Sequence, residues 1–252
     1  MALEDSHGSD SGASCDMNAN DQIDTTFDFR SDTPPGKDPD AFSPTLRRYH
    51  KLLWSKPLPG GIVFELTDAT PGAYLHHQSG LGEFVLSSDT VVPSFWSHKR
   101  LAHVVGQVPV ELLEQFGTTR YTIGGMLVFP GKCVGRQMTI NGARGCNHRI
   151  QDRFDHTVEC IRRHYLGLSS PLSDTLTRYA AFFALFESFT GYVEFFLLQD
   201  LVTSDRSAVK FFSAFDDFRT APLPSSTEAY IDYAERAMAF IEARNRRIRE
   251  VA

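Results

Sequence analysis

Residues 139 to 155 read TINGARGCNHRIQDRFD, a composition suited to holding an anion. Read as a strand that passes through a glycine-containing turn into a helix beginning near Ile150, the segment lets Asn141, Gly142 and Gly145 aim backbone N–H groups at one point. A helix N-terminus adds about half a positive charge there. Arg144 and Arg149 would complete a phosphate clamp, and Asp152 and Asp155 stand within reach as acid–base groups. The stretch lacks both G-x-x-x-x-G-K-[ST] and G-x-G-x-x-G, so it is neither a P-loop nor a dinucleotide fingerprint. The same glycines also read as an ordinary turn flanked by surface arginines.

Beyond that turn the expected helix carries Asp155, Glu159, Arg162 and Arg163 along one side, a pattern for a substrate-steering carboxylate or for solvated ion pairs. The histidines do not suggest a metal. His148, His156 and His164 recur every eight residues, about 12 Å apart on a helix, and His76 and His77 are neighbours in a strand, facing opposite ways. His76 remains a catalytic candidate: YLHHQSGLGEFVLSSD places a histidine on one strand and Ser87–Ser88 on the next. That order resembles the first two motifs of ADP-ribosyltransferases, which implies NAD use, but the glycine expected after the histidine is missing. Arg47, Arg48, His50 and Lys51 precede Trp54 on another helix, so that Arg47 and Trp54 could bind a phosphate and stack a base, or simply pack. No nucleophile elbow and no C-x-x-C pair occurs, and no cofactor is named by any motif.

Charge is unevenly spread along the 252 residues. Residues 1 to 40 carry ten acids against Arg30 and Lys37, a charge of −8; residues 41 to 165 carry +5 and eight of the nine histidines, and the remainder −3. A basic, histidine-bearing part joined to an acidic, aromatic part suits an anionic small-molecule ligand, but +5 is too weak to indicate nucleic acid unaided. No apolar run reaches the roughly 18 residues of a membrane span, and the first twenty residues have no secretory signal pattern. The expectation is a cytoplasmic protein without membrane attachment whose four cysteines are free thiols.

Residues 1 to 26, rich in Ser, Gly, Asp and Asn, are expected to be a disordered acidic tail, with residues 27 to 252 forming a single domain. Phe27 to Phe42 reads as an extended strap. Ser43–Pro44 signals a helix to Trp54 with Leu46, Tyr49, His50 and Leu53 on its inner face. Strands are expected over 62–66, 73–77, 83–86, 121–129 and 137–140, and a short helix over 109–116. Helical periodicity follows from Ile150 to Tyr165 and from Ser170 to Gly191. It continues from Tyr192 to Val202, with a last strand over 209–215. Ser225 and Glu228 form a capping box for a final helix ending in Arg244, Arg246, Arg247 and Arg249. A strand-rich first half packed against a helix-rich second half is an α+β fold.

The order of FRSDTPPGKDPD, LRRYHKLLWSKPLP, YTIGGMLVFP, MTINGARG, ECIRRHYLG and FFLLQDLV resembles a family of uncharacterised bacterial proteins over nearly everything from Phe29 to Ile248. The resemblance supports one unit and implies no activity. Residue chemistry alone therefore sets the functional expectation: an enzyme acting on or binding a phosphate-bearing small molecule such as a nucleotide. The rival readings are a non-enzymatic module for a protein or nucleic-acid partner, using the arginines at 47–48 and 244–249, and a divergent NAD-using protein.

Overall fold

Three antiparallel strands and a set of mostly short helices make up an α+β architecture in the computed structural model, which describes residues 22–96 and 98–252. In chain order the helices and strands are α1 (Pro39–Phe42), α2 (Pro44–Trp54), β1 (Leu75–Ser79), β2 (Gly82–Thr90), α3 (Ala102–Val105) and α4 (Val110–Thr119). There follow β3 (Met126–Pro130), α5 (Ile140–Cys146), α6 (Phe154–Tyr165), α7 (Ser173–Arg178), α8 (Ala180–Ala184), α9 (Phe189–Phe195) and α10 (Thr227–Val251).

β1 and β2 form a hairpin around Gly80–Leu81, closed by Gly82 at φ +136°, where a side chain is disfavoured. β2 then pairs with β3, with Ser88 opposite Val128 and Thr90 opposite Met126. Every residue of β3 is buried, so the sheet lies under the helical half. Rings join the two halves: Trp54 of α2 packs on Phe195 and Phe196, and Phe64 and Phe84 meet Phe182 edge-on.

The first half departs from expectation where extended chain lacks a partner. Residues 62–66 make only the isolated bridge between Pro57 and Val63, and Ile62 and Val63 are exposed. Residues 123–125 form a 3-10 turn because α10 presses on them. A Cβ on Gly124 would collide with the Ile241 carbonyl and the Asn245 side chain. The expected strand at 137–140 is instead the entry to α5, whose N-cap Thr139 accepts from the Gly142 amide. Residues 1–21 of the expected tail lie outside the described residues. Within 22–26 the expectation of disorder is corrected: Ile23 and Thr25 are buried, the Asp24 amide donates to Tyr49 Oη at 2.9 Å, and Arg249 donates to Thr25.

In the second half the aromatic periodicity is buried as expected, but the backbone breaks it. α6 starts at Phe154 because Gln151 and Asp152 turn with φ of 50° and 58°. Between Ser170 and Gly191 the chain forms α7 and α8, reverses at Glu187 (φ 61°) and restarts at Ser188, which caps α9. Gly191, expected as a terminator, sits inside α9 because a Cβ there would strike the Phe186 carbonyl. Residues 209–215 make only the bridge from Val209 to Val202, leaving Phe211 and Phe215 to stack 4.0 Å apart.

α10 begins one residue later than the capping-box reading, with Ser226 accepting from the Ala229 amide. Its inner stripe runs Tyr230, Tyr233, Ala234, Ala237, Ile241 and Ile248, and includes Arg244 at 0% exposure. The Arg244 guanidinium donates to the carbonyls of Phe196, Gly124 and Met126, and burial pulls it down to about 9. It is a structural tie, which corrects its place in an exposed basic patch; Arg247 likewise pairs with Asp200 at 3.0 Å. Replacing Arg244 by Ala strands three buried acceptors, and chemical denaturation should show a loss of about 3 kcal/mol or more.

Candidate functional site

α2 and β2 are joined by a line of polar groups that starts in the core. Trp54 is fully buried, and its Nε1–H donates to His50 Nδ1 at 3.0 Å. An indole nitrogen only donates, so His50 Nδ1 is the acceptor and its proton resides on Nε2. That Nε2–H donates to Ser88 Oγ at 3.0 Å, and Ser88 O–H donates to Asp40 Oδ1 at 3.2 Å. Burial holds the His50 imidazole neutral, down to about 3. Ser88 thus donates to a carboxyl while the His50 nitrogen facing it carries its own proton, which rules out a histidine-activated serine nucleophile here.

Asp40 belongs to the α1 turn, where Asp38 is the N-cap and Pro39 the first helical residue. Asp89 follows Ser88 on β2, its side chain 22% exposed, and pairs with Arg144 of α5. Desolvation, then repulsion from Asp89 and Asp38, pushes Asp40 up to about 8; desolvation and the charges of Asp152 and Asp38 push Asp89 to about 6 against the pull of Arg144. Asp40 is therefore the more readily protonated of the two near neutral pH, and Arg144 favours the ionised form on Asp89.

Around the pair stand polar atoms that the protein leaves unmet. Asn141 Nδ2 donates to Ser87 Oγ and the Ser88 carbonyl, both at 3.2 Å, while its Oδ1 is buried without a partner. Arg120 donates to Thr90 and leaves Nε buried and unpaired. Tyr74 Oη is buried near Ser88, and Arg47 lies 4.7 Å over its ring. Burial and the nearby Asp40 push the Tyr74 phenol upward. Among the described residues neither Arg47 nor Arg120 has a carboxylate ion pair.

The sequence candidates divide around this centre. Asn141, Arg144, Asp152 and Arg47 converge on it, and Trp54 reaches it through His50. The expected phosphate turn is corrected, however: residues 141–145 are inside α5, with their amides turned into the helix. Arg144, at 0% exposure, spends its donors on Asp89, Thr157 Oγ1 and the Asp152 carbonyl. Gly145 is occupied by packing, since a Cβ there would meet Asp152 Oδ2 at 3.2 Å. Arg149 is exposed and lies outside the centre.

Asp155 is not on a solvated side. It is buried against Arg153, with Nε to Oδ1 at 2.9 Å, and also accepts from the Phe212 amide. Burial alone would raise it, but Arg153 holds it below the ordinary carboxylate value. Glu159 does form the expected ion pairs with Arg162 and Arg163, both at 2.8 Å. His76 pairs with Glu83 at 3.1 Å, and His77 is held by the Glu65 carbonyl and Ser79.

Asp40, Asp89, Arg120 and Tyr74 escape sequence reasoning, and Ser88 is singled out only for a different pattern, the Ser87–Ser88 of the NAD-using reading. The one signal available was Asp38-Pro39, a helix start inside what reads as an extended strap.

A family model matches residues 23–248. The chain belongs to DUF6994, a family of unknown function. No curated protein and no solved structure matches the chain. Among the described residues no helix is long and apolar enough to cross a membrane, and no group of three His, Cys, Asp or Glu side chains is placed to hold a metal ion. Among the described residues of this DUF6994 chain, Asp40, Ser88 and Asp89 form a candidate acid–base centre.

Because Asp40 is raised in the folded state above the unfolded carboxylate value, it favours folding most at low pH, and that contribution is lost as pH rises from about 4 through 8. Asp40→Asn should therefore be more stable than wild type by about 2 kcal/mol at pH 9, after discounting for partial exposure, and the gap should close toward pH 4 in urea titrations.

Proposed function

We propose that this protein is a cytoplasmic enzyme that carries out general acid–base chemistry on a small phosphate-bearing substrate, with nucleotides the first class to test. The observation that carries the reading is the two raised carboxyls Asp40 and Asp89 flanking Ser88, near two buried polar atoms with no protein partner, Asn141 Oδ1 and Arg120 Nε. A buried polar group left unmet costs about 1–3 kcal/mol, so two beside these carboxyls suit a substrate that supplies the missing bonds.

In this scheme Asp89, kept ionised by Arg144, accepts a proton from the substrate or a water, and Asp40 returns one to the leaving atom. Ser88 keeps Asp40 in place, and His50 keeps Ser88 in place. Arg47 and Arg120 hold the phosphate, since the buried Arg144 is already committed. The free thiols Cys133, Cys146 and Cys160 agree with a reducing compartment.

A second reading, a binding module for a protein or nucleic-acid partner, draws on Arg48 and Arg249, which line one hollow of 610 Å³. It weighs less because Arg244 is buried and Arg247 is paired. The NAD-using reading finds little support, since Ser88 is engaged by His50 and His76 by Glu83.

Thermal-shift screening of nucleotides and sugar phosphates should reveal a ligand that stabilises wild type by about 2.7 kcal/mol at a hundredfold excess over Kd. Arg120→Ala should lose the effect. Asp40→Asn should still bind yet show no turnover, and wild-type turnover should be confined to a bell between about pH 6 and 8. A panel that leaves wild type unmoved, alongside salt-sensitive nucleic-acid binding, would favour the second reading.

A further inference from the structure

At the opposite end of β2 from Asp89 lies a cleft of 380 Å³ that the acid–base centre does not use. Its floor is apolar: Phe84 and Phe182 meet edge-on with ring centres 5.9 Å apart, and Ala181 forms part of the wall. The rim is cationic on one side. Lys132 is exposed and has no ion pair among the described residues, and the Tyr179 hydroxyl donates to its carbonyl at 2.9 Å, tying the loop after β3 to the end of α7.

Arg178 completes that side. Its Nη1 donates to the Asp174 carbonyl and its Nη2 to the Met138 carbonyl and Thr175, whereas Nε is buried with no partner. Nε–H is closed off from the cleft, so one N–H donor remains for a ligand, on Nη1. Glu83 stands on the same cleft and adds a negative charge.

We infer that this cleft is a binding site for a small monocarboxylate with an aromatic or short aliphatic body. The apolar body lies against Phe84 and Phe182, as ligands of this size do in mainly apolar pockets with a few placed polar groups. The head group takes the spare Arg178 Nη1–H and the Lys132 ammonium. A carboxylate matches that supply: one guanidinium N–H and one flexible cation meet its two oxygens. A phosphate dianion would bring a third oxygen with no donor to meet it and a second charge against Glu83. The site is separate from the acid–base centre, and its ligand is a different class from the proposed substrate.

Cys133, on the rim of this cleft, and Cys146, outside it, are both exposed free thiols, so each molecule carries a reporter and its control. Iodoacetamide labelling of the full chain, read by peptide mass spectrometry, is to be followed with 4-phenylbutyrate or 4-phenylbutan-1-ol present. The acid should slow labelling of Cys133 and leave Cys146 unchanged, and Lys132→Ala should weaken that protection by about tenfold in ligand concentration. Ala181→Trp, which fills the cleft from an exposed position, should abolish it. Unchanged Cys133 labelling at millimolar acid would overturn the site, as would protection that survives in Ala181→Trp. Equal protection by the alcohol would overturn the carboxylate assignment.

Discussion

The candidate centre depends on one buried cation. Arg144 has no exposed surface, and its guanidinium reaches Asp89 on β2, Thr157 on α6 and the carbonyl of Asp152 in the turn between α5 and α6. A charge so placed is tolerable only when its N–H groups are met, and here the partners come from the sheet, the turn and the helical half together. Meeting them fixes where β2 runs relative to α6. It also sets the charge of Asp89 near Asp40, which helps to raise Asp40. Without this ion pair the Asp89 carboxylate would be left half-buried beside Asp38, Asp40 and Asp152.

Three other guanidiniums show how differently the same group can be accommodated. Arg153 is matched by a buried carboxylate, Asp155, which in turn accepts the Phe212 amide and so pins the chain of residues 209–215 that has no sheet to join. Arg244 has no carboxylate and is met by carbonyls of the 3-10 turn, β3 and the end of α9. Arg120 is met only in part. The fully satisfied ones hold elements together, and the incompletely satisfied one stands near Asp40.

The sequence was readable wherever local chemistry decides. Ser43–Pro44 and the spacing of Leu46, Tyr49, His50 and Leu53 gave α2 and its inner face, and the stripe from Phe154 to Ile161 gave α6. It misled where a distant contact overrides local preference. The 137–140 segment has strand-like residues, but Thr139 finds the Gly142 amide and starts α5 instead; Gly191 looks like a stop and is a close-packing residue. The centre was half visible. Asn141, Arg144 and Asp152 attracted attention as polar residues near glycines and Arg47 as a cation ahead of Trp54, but the partners of Asn141 and Arg144 on β2, Ser88 and Asp89, lie 53 and 55 residues away, and no spacing rule relates them. Asp40 was hidden by the prolines around it, which suggest extended chain and conceal a single helical turn.

The row of hydrogens from Trp54 to Asp40 has a direction that cannot be reversed, because the indole at its inner end has nothing with which to accept. A proton added to Asp40 therefore cannot be relayed inward along it by successive flips, as it could through a chain of waters or hydroxyls. The row behaves as a one-way valve set against the interior: it steadies the half-buried carboxyl and passes none of its protons to the aromatic core beneath.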